Sequence, residues 1–378
     1  MSAVAEAAMP AALAEATRHQ PRARATLGAA LATGPSHAYL FRGPRGSGKA
    51  AAARAFAAEL LAGRAPDPED ARRRALLDPS PHPDLVWLRP PGAQHLVDEV
   101  RESVIRAASL RPAEGERRLF VIEEAEALRD ESQNALLKTL EEPAPFAHLI
   151  LLCSDPELLV GTILSRCAPV EFAPLAPEAV LESLGAGGAE AEAAARLCGG
   201  DLELARFLLG ERGRALRASA EEAARAALAE EPKAEPWAEL LGSAADAGAD
   251  AGAAEERRLL EEAESAARRG RKGKLTREAG EQVRRTERRA RTRGLDLGLA
   301  LCAAWYRDLA ALASGADELV LNSDRRAELE ADARGIEAAA AREAVDLILD
   351  TRRRLRVNVS EELALEALWL RLAERLGG

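Results

Sequence analysis

The octapeptide Gly43-Pro-Arg-Gly-Ser-Gly-Lys49-Ala50 constrains this chain more than any other feature. It fits the phosphate-binding loop G-x-x-x-x-G-K-[ST] at Gly43, Gly48 and Lys49 and departs only at Ala50. Such a loop works between a buried strand and a helix, because its backbone N–H groups and the helix N-terminus face an anion while the lysine pairs with it. The flanks supply that setting. His37-Ala-Tyr-Leu-Phe41 is an apolar run of strand length, and Ala50 to Leu61 is rich in Ala and Leu. The methyl of Ala50 stands where a hydroxyl would hold Mg²⁺, so the loop predicts a nucleotide-hydrolysing scaffold that is handicapped for hydrolysis.

Strand and helix alternate through the first half. Apolar runs at Asp84–Leu88, Arg118–Ile122 and His148–Leu152 read as strands. Between them, Val97–Ser109 has near-helical apolar spacing, and Glu131–Glu142 reads as a helix stopped by Pro143 and Pro145. Gly63–Pro83 is a polar, proline-containing stretch. The alternation predicts an α/β fold, a parallel sheet with helices on both faces. After Pro174 the texture changes. Pro177–Gly210 carries short helical patterns broken by Gly199-Gly200, and from Gly213 onward nearly everything reads as helix, most strongly at Leu295–Ala313 and Arg342–Leu376.

At 378 residues the chain is long enough for more than one domain. No run of 18 apolar residues is present, and the Ala-rich start, Met1–Leu13, lacks the basic residues of a secretory leader, so a cytoplasmic location is expected. Five of the 52 basic residues are Lys and the remaining 47 Arg, which with the abundant Ala points to a coding bias rather than to nucleic-acid binding. A formal charge of −10 argues against a surface built to grip DNA as a whole. Between Arg268 and Arg293, twelve Lys or Arg face three Glu. No aromatic residue interleaves them, and a solvated helix or mobile linker accounts for the segment more simply than a DNA-contacting stripe. The cysteines at 153, 167, 198 and 302 fit no zinc spacing and read as reduced thiols.

Two further elements bear on phosphoryl chemistry. Glu123 follows the apolar run Arg118–Ile122, where an Asp commonly positions Mg²⁺; its extra methylene carries the carboxylate about 1.5 Å further out, against the strict octahedral geometry of that ion. Arg166, in Thr162-Ile-Leu-Ser-Arg-Cys167, follows a short helix and could project from the domain. Spacing alone leaves it either an ordinary intrachain ion pair or an arginine finger acting in trans.

The segments His37–Lys49, His82-Pro-Asp84, Asn134-Ala-Leu-Leu-Lys-Thr-Leu-Glu-Glu-Pro143 and Ile163-Leu-Ser-Arg-Cys167, in this order and spacing, resemble the AAA+ subunits of the bacterial clamp loader. The resemblance is strong from about residue 22 to 210 and weaker at Trp305-Tyr-Arg-Asp308 and Leu355-Arg-Val-Asn358 to Leu370. It implies a RecA-like AAA+ domain over residues 1–174, a small helical lid over 175–212 and a helical collar for oligomerisation over 213–378. It also implies that Arg166 completes the ATP site of an adjacent motor subunit. Three departures oppose hydrolysis by this chain: Ala50, Glu123, and Glu203 at the place of a second sensor arginine in the lid. Gly43, Gly48 and Lys49 then bind nucleotide or phosphate weakly or not at all, and no cofactor is required beyond weak ATP or ADP binding. The four-cysteine zinc module usual between the loop helix and His-Pro-Asp has no counterpart in residues 63–83, so no metal is expected. Implied partners are the gamma/tau and delta loader subunits and, indirectly, the sliding clamp and primed DNA, with no membrane. Three competing readings are an ATP-hydrolysing gamma/tau-like subunit, a stand-alone P-loop kinase, and a DNA-binding scaffold using the basic segment.

Overall fold

The computed structural model describes residues 9–92, 94–229, 234–268, 277–355 and 359–376. The chain divides into two compact units, one running up to Ala179 and including Gly200–Leu202, the other formed by Val180–Gly199 and the chain from Glu203 onward.

In the first unit, helices α1 (Ala11–Ala16) and α2 (Pro21–Thr33) lead into β1 (Ala38–Arg42), α3 (Lys49–Ala62) and α4 (Pro68–Leu76). Then come β2 (Leu85–Leu88), α5 (Val97–Val100), β3 (Arg118–Ile122), α6 (Asp130–Glu141), β4 (Ala147–Cys153), α7 (Gly161–Leu164) and β5 (Ala168–Glu171). The five strands pair in parallel in the order β2-β3-β4-β1-β5. All seven residues of β4 are buried, as a strand covered on both faces requires. One face packs Tyr39, Phe41, Phe56 and Val121; the other packs Leu40, Phe120, Ile122 and Leu151. Phe56 of α3 meets Tyr39 edge to face at 5.2 Å, which sets the helix after the loop firmly on the sheet.

Three local expectations need correction. The polar stretch 63–83 contains α4: Asp67 accepts from the Asp70 N–H, Pro68 takes the first turn, and acidic and basic residues sit at the ends the helix dipole favours. The helix expected over Val97–Ser109 is regular only to Val100, then widens into a π-helical turn over Arg101–Arg106. The short fifth strand, Ala168–Glu171, had no counterpart in the sequence pattern.

His82-Pro-Asp84 forms a buried anchor. The Asp84 N–H donates to His82 Nδ1 at 3.1 Å, and the Asp84 carboxylate accepts from the backbone N–H of Ala113 (2.6 Å) and Glu114 (3.0 Å). These bonds fix the loop that feeds β3.

The second unit is helical. It holds α8 (Pro177–Leu184) from Val180 onward, α9 (Ala189–Leu197), α10 (Leu202–Leu209) from Glu203 onward, α11 (Glu211–Ala226), α12 (Ala238–Arg268), α13 (Arg277–Ala313), α14 (Arg326–Asp332), α15 (Ala338–Leu355) and α16 (Glu361–Leu376). One core runs from Ala194 and Leu208 to Leu372, so α9 and α10 share it with the longer helices. The Trp305–Asp308 segment belongs to that core. The Trp305 indole donates to Asp332, the Tyr306 hydroxyl donates to the Ala224 carbonyl, and the buried Asp308 carboxylate accepts from Leu321 and Asn322. Within the basic segment, residues 277–293 are helical: Arg291 pairs with Glu361 at 2.7 Å and Arg285 with Glu281 at 3.4 Å. Residues 269–276, and the 356–358 part of the Leu355–Asn358 resemblance, lie outside the described residues.

Replacing Asp84 by Ala removes the acceptor of two part-buried backbone N–H groups and should lower the unfolding free energy by about 2 kcal/mol. Urea denaturation of the variant checks this; a loss below about 1 kcal/mol would show that the anchor is dispensable.

Candidate functional site

The glycine-rich loop leaves the carboxyl end of β1, between β4 and β5 in the sheet. This is the side of an open parallel sheet where ligands bind, at the point where the strand order reverses. The loop is built by close approach. At Gly43 (φ +149°) an added Cβ would lie 2.1 Å from the Phe172 carbonyl oxygen, and at Gly46 (φ +65°) it would lie 2.0 Å from an Asp201 carboxylate oxygen. Both positions therefore need glycine.

Gln20 braces this geometry. Its amide nitrogen donates to the Ser47 carbonyl (2.9 Å) and the Ala173 carbonyl (2.8 Å), and its oxygen accepts from the Ala173 N–H (2.9 Å). A buried side chain ahead of α2 thus ties the loop to the residues after β5. Gln20 carried no signal in the sequence, because its partners lie 27 and 153 residues away.

Lys49 opens α3 and is buried. Its ammonium donates to the loop's own carbonyls at Gly43 and Pro44 (2.6 Å) and to Ser154 Oγ (3.3 Å) at the end of β4. Burial pulls its pKa down to about 8, opposed by the charges of Glu126 and Asp201. Glu126 in turn accepts from the Ser154 N–H with both oxygens at 3.2 Å. Arg45 of the loop reaches Glu124 at 3.5 Å. The two cations Lys49 and Arg45 thus lie among three carboxylates, Glu124, Glu126 and Asp201.

Glu123 does not face the loop lysine's partners. Its Oε1 accepts from the Trp87 indole at 2.6 Å and from Arg89 Nε at 3.1 Å. Arg54 lies over the Trp87 ring at 4.1 Å. The carboxylate is already committed on the β2 side of the sheet. Ala50 is exposed, so its methyl leaves room but offers no ligand. Asp201 also lies against the loop, beside Gly46, and was not among the residues singled out by motif position. Glu203 lies in the first turn of α10. The signal available was the Gly199-Gly200 pair, which frees the backbone to turn (φ +59° and +89°) just before Asp201.

Arg166 lies one residue past the C-cap of α7. Ile163 and Cys167 on either side of it are buried, and burial pushes the Cys167 thiol up to about 12, so the arginine is turned outward. Its side chain is 33% exposed; Nη2 pairs with Glu141 at 2.6 Å and Nη1 donates to the Thr162 carbonyl at 3.1 Å. An intrachain ion pair and a surface position both hold for this residue.

Strand order β2-β3-β4-β1-β5 with a phosphate loop at the end of β1 defines a P-loop α/β domain with a parallel sheet. Residues 19–176 match the family model described as "DNA polymerase III, delta subunit". Over much of this stretch the chain is similar to curated DNA polymerase III delta-prime subunits. DNA polymerase III subunit delta' of Bacillus subtilis is 34% identical over 155 residues, covering 39% of this chain and 46% of that protein. Its Pseudomonas aeruginosa counterpart is 36% identical over 221 residues, covering 55% of this chain and 66% of that protein. Subunit tau of B. subtilis is 33% identical over 149 residues, 39% of this chain and 26% of that protein. The chain thus spans less than two thirds of the length of each of these relatives. Among the described residues no helix is long and apolar enough to cross a membrane.

Two outcomes are expected. With its lysine held near 8 against an ordinary 10.5, the folded chain binds fewer protons here than the unfolded chain between those values, so this group makes stability rise with pH from about 8 to 10. Lys49→Met should flatten that part of the profile in urea titrations at pH 7.5 and 9.5; an unaltered slope would contradict the burial of the charge. Asp201→Ala should raise affinity for ADP or inorganic phosphate by about tenfold, one carboxylate having been removed from the loop. Calorimetry showing equal affinity in both proteins would mean that Asp201 does not obstruct the loop.

Proposed function

We propose that this chain is a delta-prime-type, non-hydrolysing subunit of a DNA polymerase III clamp loader, which lends Arg166 to the ATP site of a neighbouring gamma/tau-type motor subunit. The observation that carries this reading is the commitment of Glu123. A carboxylate already bound by Trp87 and Arg89 is not disposed to position Mg²⁺ beside Lys49, and Ala50 adds no hydroxyl. A scaffold that keeps the loop but lacks a poised metal acid suits a member of the ring that does not cycle through nucleotide states. The surface position of Arg166 suits contact with a second chain. On this reading the residues from 213 onward act as the collar, the partners are gamma/tau and delta subunits, and the sliding clamp and primed DNA are served through the assembly. Any nucleotide at Gly43, Gly48 and Lys49 is bound weakly and is not required.

The similarity to tau over much the same length keeps a hydrolysing gamma/tau-like role as the alternative. Turnover separates the two. The purified chain should show no ATPase above background, whereas turnover abolished by Lys49→Ala would assign it to the motor class. In the reconstituted loader, Arg166→Ala should leave assembly intact and lower the ATPase rate by roughly tenfold or more. An unchanged rate would remove the trans role.

A further inference from the structure

We propose that Glu141 is a positioning residue for Arg166. This rests on the reading that Arg166 acts on a neighbour's nucleotide.

Glu141 is the last residue of α6, and Arg166 follows α7. The guanidinium is gripped from two separate elements: Nη2 by the Glu141 carboxylate at 2.6 Å, and Nη1 by the Thr162 carbonyl at 3.1 Å, with Ser165 Oγ at 3.4 Å from the same nitrogen. An arginine on a surface turn otherwise samples many rotamers, and each hydrogen bond made to an incoming phosphate must first overcome that freedom. Two anchors on different elements remove most of it while a third of the side chain stays open to solvent. The planar fork is then presented in one orientation, which is what an electrostatic stabiliser of a transition state requires.

The placement of Glu141 is not explained by its own helix. A carboxylate in the last turn faces the negative end of the helix dipole, an unfavourable position. Arg166 supplies the compensating cation. The platform is also stiff where it must be. Gln133, buried in α6, donates to the Leu158 carbonyl (3.2 Å) and accepts from the Val160 N–H (2.8 Å). The helix that carries Glu141 is thereby tied to the residues that precede α7, which keeps the backbones bearing the two side chains in register.

A loader reconstituted from full-length subunits with clamp and primed DNA tests this. Glu141→Ala should lower kcat for ATP about fivefold, the conversion of an ordinary surface ion pair into rate, with KM for ATP and subunit stoichiometry unchanged. In an Arg166→Ala background the same substitution should lower the rate no further. Three results would overturn the inference. If Arg166→Ala lowers the rate and Glu141→Ala does not, Glu141 has no positioning role while the trans-arginine reading stands. If Glu141→Ala lowers the rate equally with and without Arg166, it acts by another route. If Arg166→Ala itself changes nothing, the reading beneath the inference fails and takes it along.

Discussion

The ammonium of Lys49 is spent on its own loop. Two carbonyls, at Gly43 and Pro44, and the Ser154 hydroxyl at the end of β4 hold it in a buried place. That arrangement joins the ends of two adjacent strands and the first residue of α3 through one charge. It also sets the terms for everything around it. A buried cation needs nearby negative partners, and Glu126 and Asp201 supply them. The same carboxylates place negative charge beside the loop. The loop lysine thereby serves the cohesion of the sheet edge.

A division of labour follows along the chain. The carboxyl edge of the sheet keeps the geometry of a nucleotide site, while its acids are turned to internal duties: Glu123 to Trp87 and Arg89, Glu126 to Ser154, Glu124 to Arg45. On the turn after α7, buried Ile163 and Cys167 leave Arg166 at the surface, paired with Glu141. The helical second unit is held by its own buried polar pairs, such as Arg217 with Asp324 and Asn322, in addition to its apolar core.

Much of this is legible in the sequence, and the exceptions have physical causes. β1, β3 and β4 stand out as apolar runs because both faces of a central parallel strand are covered. β5 does not, because it lies at the sheet edge, is four residues long and contains Pro169, which such an edge tolerates. The helix α4 was hidden by its charge, since only Ala71 and Ala75 of its residues are buried. Its Asp67-Pro68 start and its dipole-matched ends were nonetheless visible signals. Within the site, Lys49, Glu123 and Arg166 could be named from motif position, but the partners of each could not. Trp87, Ser154, Gln20 and Asp201 meet the site through contacts that span 27 to 153 residues or arise at a glycine turn, and no local pattern encodes these.

The Gln20 clamp has a mechanical consequence. β5 starts two residues beyond Arg166, and the backbone just past its far end, at Ala173, is fastened through Gln20 to Ser47 of the loop. Arg166 and the loop are thus opposite ends of one short strut that is itself paired to β1. A pull on that turn would therefore be carried into the sheet through hydrogen bonds rather than taken up by slack backbone.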